Sequence, residues 1–150
     1  MNDKTYSKKT EPAAASVVSA EVAESEFQRI VVEWDIDTAT AHMNAESLED
    51  YEKIRGKILR LIQAGRLVVA EDGDVTYTLR KAVGTIDTLT FSMPLGAVLP
   101  AMDRYKQNQD GRKTFHLVGD VTGQPPALFT KMVWPDANFC STLTGFLMAS

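Results

Sequence analysis

The alternation of apolar and polar residues between positions 75 and 93 constrains this chain most. Val75, Tyr77 and Leu79 alternate with Thr76, Thr78 and Arg80, and Leu89, Phe91 and Met93 alternate with Thr88, Thr90 and Ser92. A period of two sends successive side chains to opposite faces of an extended chain, so Val75 to Leu79 and Thr85 to Met93 read as half-buried strands. Upstream, Glu71-Asp72-Gly73-Asp74 separates Val75 to Leu79 from Arg66 to Ala70. Asp-Gly favours the positive φ angles of a tight hairpin, which predicts antiparallel pairing across it. A sheet with one apolar face has to be covered, and the remaining periodic segments are helical.

Ser47-Leu48-Glu49-Asp50 has the form of an N-cap followed three residues later by an acid, a pattern that satisfies first-turn N–H groups. Tyr51, Ile54, Ile58, Leu61 and Ile62 then share one helical face, and Gly65 is the expected C′ stop. The other side carries Lys53, Arg55, Lys57 and Arg60, which reads first as a solvated basic strip. Pro94 ends the later strand, and a helix is expected over Gly96 to Tyr105, kinked at Pro100 or starting beside it. For Lys113 to Val121, helix and strand both fit the periodicity. Gly123-Gln124-Pro125-Pro126 predicts a loop, followed by a short helical piece to Met132. Trp134-Pro135-Asp136 opens a last helix whose Phe139, Leu143, Phe146 and Leu147 recur at i, i+4, i+7 and i+8.

At the other end, Ile30, Val32 and Trp34 alternate with Arg29, Val31 and Glu33, predicting a strand over Phe27 to Asp37. Asp35 and Asp37 then share the face of a solvated strand end. Residues 1–26 are small, polar and poor in apolar surface, and read as a mobile tail in which Ala20 to Glu26 becomes helical only under a partner. The expected architecture is α+β: a small, mainly antiparallel sheet with about four helices, the C-terminal half mostly helical, in a single domain over residues 27–150. A chain of 150 residues with 44% hydrophobic content suits one core of that kind.

Chemistry is sparse. A net charge of −4, from 16 basic and 20 acidic side chains, makes no field that gathers polyanions over the whole surface, so general nucleic-acid or anionic-membrane binding is disfavoured. The lone Cys140 excludes an internal disulfide or a multi-cysteine metal site and reads as a small packed residue. His42 and His116 stand in no metal-ligand spacing and beside no nucleophile in sequence. Gly119-Asp120 and Thr122-Gly123 lack the strand-before, helix-after context of a phosphate cradle, and no other catalytic motif is present. No enzyme activity, cofactor or metal is expected. The apolar run Ala13 to Val18 is too short and polar for a secretory core, and no stretch approaches the ~20 apolar residues of a membrane span. The expected location is the cytoplasm of the cell that makes the protein.

Two surfaces are candidates for partners. Trp134, Phe139, Leu143, Phe146 and Leu147 belong to the last helix, whose apolar face packs on its own sheet by default and offers any remainder to a client or to another copy. Lys53, Lys57, Arg60 and Arg66, on a helix that leads into a hairpin, also read as the end of a winged-helix DNA-binding domain. Against that reading, the upstream segment gives a strand and a loop where two more helices are wanted. The acidic wing tip would also repel phosphate.

Over residues 76–148 the order of elements resembles another group. Tyr77-Thr78-Leu79-Arg80-Lys81, the strand Leu89-Thr90-Phe91, Pro94, Asp103, Thr122-Gly123, Asp136 and the closing Phe146-Leu147 together resemble the tail assembly chaperones of long-tailed, Mu-like bacteriophages. Ala82 stands where many members carry proline, and residues 27–75 form an extension that shorter members lack. The resemblance implies a non-enzymatic protein of the bacterial host cytoplasm. Its partner would be the tape-measure protein, held during tail assembly until tube subunits polymerise around it. It further implies homo-oligomers and a longer frameshifted form in such families, and leaves a structural tail subunit as an alternative. It defines no binding residues sharply enough to transfer.

Overall fold

The computed structural model describes residues 18–40, 43–96 and 110–149, with backbone alone for 110–113. The helix expected over Gly96 to Tyr105 falls, from residue 97 on, outside the described residues, as do His42 and residues 1–17. The elements are α1 (Ala20–Glu33), α2 (Ala45–Gln63), β1 (Leu67–Val69), β2 (Val75–Val83), β3 (Ile86–Phe91), α3 (Asp110–Thr122), a 3-10 helix (Pro126–Lys131) and α4 (Trp134–Leu147). The architecture is α+β. The three strands form one antiparallel sheet in the order β1-β2-β3, and the C-terminal part is helical.

The expected hairpin forms. Leu67 faces Tyr77 and Val69 faces Val75, with Gly73 at φ 93° in the turn. Across the second hairpin, Tyr77 faces Leu89 and Val75 faces Phe91, while an irregularity interrupts the pairing between Thr78 and Val83. Tyr77, Leu79, Leu89 and Phe91 are buried on one face, and Thr76 and Thr90 bring their hydroxyls within 3.0 Å on the other. Among the described residues the helices pack on the apolar face, around one core.

The first helix is the main departure from the sequence reading. Phe27 to Asp37 is helix for most of its length, not strand, and Ala20 to Glu26, expected in the tail, forms its first turns. The decisive spacing is Ala23, Phe27, Ile30 and Trp34, all buried, a helical stripe that becomes visible only when the upstream residues are counted. Val32, which suggested alternation, is exposed. The Ser19 hydroxyl caps the helix by accepting from the Val22 N–H at 3.1 Å. At the other end Asp35 takes φ 51°, Ile36 N–H reaches Val31 O and Asp35 N–H reaches Val32 O, a Schellman closure. Asp35 is therefore a helix stop. Asp37 accepts from the Ala39 N–H at 3.0 Å as an Asx turn.

α2 begins one turn before the predicted start. Asn44 is its N-cap, accepting from the Ser47 N–H at 2.8 Å, so Ser47 is a first-turn residue and not the cap. Its end is as expected: Gly65 at φ 74° donates to Ile62 O while Arg66 donates to Leu61 O. Ile58 and Ile62 are buried, with Tyr51, Ile54 and Leu61 packed against the core. The ambiguous 113–121 segment is helical, within α3. Gly119 has a packing role there, since a Cβ on it would lie 2.6 Å from the Gln124 carbonyl oxygen.

The hairpin tip and α1 are locked together. Trp34 Nε1 donates to Gly73 O at 2.8 Å, and a Cβ added at Gly73 would stand 2.6 Å from Glu33 Cβ. Neither atom is at the free end of a flexible chain, so Gly73→Ala has to push α1 off the turn and also strains a left-handed φ. A loss of about 2–3 kcal/mol is expected, read as a lower urea midpoint with unchanged slope.

Candidate functional site

α4 reaches the sheet through a buried polar anchor. Trp134 and Pro135 occupy its first two positions, with proline's missing N–H harmless there, and Asp136 follows in the first turn. Asp136 is fully buried. Its Oδ1 accepts from the Tyr77 hydroxyl at 2.8 Å and from the Arg80 N–H at 2.9 Å, and its Oδ2 accepts from the Lys81 N–H at 3.1 Å. The irregularity in β2 turns two consecutive amides toward one carboxylate, which lets the side chain substitute for a ladder partner. Three donors on one buried acid satisfy it fully, and the helix N-terminus adds a favourable dipole.

Two titratable groups sit beside this anchor. Burial first, and then the hydrogen bond to Asp136, push the Tyr77 hydroxyl from 10.0 up to about 12. Burial, with the Asp136 charge second, pushes the Cys140 thiol from 9.0 up to about 12. A thiol held protonated and enclosed is a poor nucleophile, so the cluster holds the fold together and offers no attacking group. Both pKa values are higher in the folded state, so the unfolded chain binds fewer protons in strong alkali. The associated stability is complete below about pH 9 and is lost as pH rises toward 12. Thermal melts across that range are expected to fall steeply. In Cys140→Ala the decline that starts near pH 9 should disappear, leaving the Tyr77 portion that starts near pH 10.

The predicted partner residues divide sharply. Phe139, Leu143, Phe146 and Leu147 are buried in the core and do not form an exposed docking face. Phe139 lies against Tyr77 with ring centroids 4.7 Å apart, and Phe146 against Phe27 at 5.8 Å. α3, α2 and the sheet pack against α4, and Phe27 of α1 meets Phe146, so its apolar face is spent on the core. Trp134 alone of the five stands out, 75% exposed at the helix start.

The basic residues are dispersed. Lys53 and Arg60 are exposed, whereas Lys57 lies over the Phe139 ring at 5.4 Å. Arg66 lies over Tyr77 at 5.6 Å and donates to Thr78 O at 2.8 Å. Two of the four cations are thus engaged by aromatic rings over the core. Sequence reasoning placed Asp136 at the start of the last helix and in the resemblance but not as an anchor; its only local signal is an acid in a first helical turn, and its partners are more than fifty residues away.

Among the described residues no group of three or more His, Cys, Asp or Glu could hold a metal ion, and no helix is long and apolar enough to cross a membrane. Comparison with known proteins finds no matching family model, no matching curated protein and no matching solved structure. The exposed Trp134, presented by a helix that Asp136 fixes to the sheet, is the feature that most resembles a binding element.

Proposed function

We propose that this chain is a non-enzymatic phage or prophage tail assembly chaperone that holds the tape-measure protein in the host cytoplasm while the tail is built. Trp134 carries the reading. A large aromatic side chain 75% exposed, on a helix whose other apolar residues are committed to the core, suits an anchor for an apolar client. The likeness of residues 76–148 to tail assembly chaperones supports the same role. Many copies along an elongated client would combine weak single contacts into firm retention.

The test is co-expression with a tape-measure fragment, followed by affinity capture and size-exclusion chromatography at two salt concentrations. A salt-tolerant complex is expected, and Trp134→Ala should lower its yield about tenfold, the size of a loss near 1.4 kcal/mol. A fragment that precipitates as it does alone would remove the chaperone role. Salt-sensitive capture of duplex DNA instead would favour the regulator built on Lys53, Lys57, Arg60 and Arg66.

A further inference from the structure

Acidic and basic side chains are segregated along this chain. Residues 53–70 hold Lys57 and Arg66 among five cations and no acid, residues 75–86 hold Arg80 and Lys81 and no acid, and residues 121–135 hold Lys131 and no acid. The fold joins these three segments at the start of α4. Lys57 lies over the Phe139 ring at 5.4 Å and Arg66 over the Tyr77 ring at 5.6 Å, and the two ring centroids are 4.7 Å apart. The Arg80 and Lys81 amides bond to Asp136, and Lys131 lies on the 3-10 helix that leads into Trp134. The side chains of Arg80, Lys81 and Lys131 are exposed. Ion pairs among the described residues join Arg29 to Glu26 and Arg55 to Glu24, so none neutralises these cations. Asp136 is buried on its three donors, and Asp87 is the only acid on the strand that pairs with β2 here.

We propose that this basic surface and Trp134 together take an acidic segment of the partner protein, one in which carboxylates flank an apolar side chain. The apolar side chain packs on the indole, the only exposed aromatic group among the described residues, and the carboxylates meet Arg80, Lys81 and Lys131. Charge complementarity favours such a segment over a nucleic acid. The whole chain carries a net charge of −4, so the protein outside these three segments is more negative still and repels a polyanion that runs beyond them. A single indole also gives successive bases no row of stacking platforms. A peptide with a few carboxylates ends where the cations end. The inference rests on Trp134 as the client anchor of the proposed function and adds the chemistry of that client.

The test uses the full chain and two synthetic peptides of about 12 residues, both with central leucines, one flanked by glutamates and the other by lysines. Indole fluorescence reads the binding, because Trp34 is buried and Trp134 is exposed, so covering Trp134 moves the emission to the blue. The glutamate peptide is expected to bind saturably, about tenfold more tightly than the lysine peptide at low salt. Raising the salt to about 1 M should narrow that preference and leave the contact with the indole in place. In Lys81→Glu/Lys131→Glu, where both side chains are exposed, the preference should vanish in a protein that melts like wild type. Equal affinity for the two peptides in wild type, no saturable shift with either, or an unchanged preference in the double variant would overturn the proposal. So would tighter binding of a single-stranded oligonucleotide than of the glutamate peptide. Peptide preference in a protein that fails to capture the tape-measure fragment keeps this surface and removes the chaperone role, and capture without the preference does the reverse.

Discussion

Asp136→Ala is expected to lower stability by about 3–5 kcal/mol, because it strands three buried donors at once. The Tyr77 hydroxyl and the amides of Arg80 and Lys81 all point at the same fully buried carboxylate. Asp136→Asn keeps the volume but turns an NH₂ group toward donors, so it should recover only part of the loss. Tyr77→Phe removes one donor and leaves the other two satisfied, with an expected cost of about 1–2 kcal/mol. A double-mutant cycle by urea denaturation discriminates these terms: in an Asp136→Ala background, Tyr77→Phe should cost less than in wild type, since the hydroxyl has already lost its acceptor. Additive losses would show that the three groups do not act as one anchor.

Phe139→Ala should be nearly as damaging, about 3–5 kcal/mol, because a fully buried ring leaves a cavity among Tyr77, Lys57 and the α4 core. Trp134→Ala, five positions earlier on the same helix, should change stability by no more than about 0.5 kcal/mol. The pair separates folding from binding. Under the proposed function, loss of client capture in Phe139→Ala should accompany a lowered melting temperature, whereas loss in Trp134→Ala should occur in a protein that melts like wild type. A polar substitution at Phe146 or Leu147, attractive from the sequence as a probe of binding, would report unfolding instead.

How much of this was legible follows from the range of each interaction. The hairpin at Asp72-Gly73, the strands around Tyr77 and Phe91, the Gly65 stop and the extent of α4 are encoded by neighbours within a few residues, and periodicity exposes them. α1 was misread because Ile30, Val32 and Trp34 span too few positions to separate a period of two from one of 3.6. Ser19 and the Ala23–Phe27 spacing held the missing signal. The burial of α4 was only half legible: its spacing predicted an apolar face, but not that α1 would add Phe27 against Phe146 and close that face. Asp136 was invisible as an anchor because its meaning comes from an irregularity in a distant strand. Trp134 was grouped with the partner candidates by type and spacing, and only tertiary structure separates it from them, by its exposure.

α1 has one further bearing on how the molecule behaves in a crowded cell. Its Val22 and Glu26, with Val18 just before it, flank β1, its Arg29 donates to Ala70 O, and the Val18 N–H reaches Gln63 O, so the helix lies alongside a strand whose second edge has no strand partner among the described residues. An uncovered edge of that kind recruits edges from other molecules. The helix shields that edge and the core at once: with Phe27, Ile30 and Trp34 buried beneath it, detaching α1 would bare a strand edge and apolar surface together, the combination that promotes self-association.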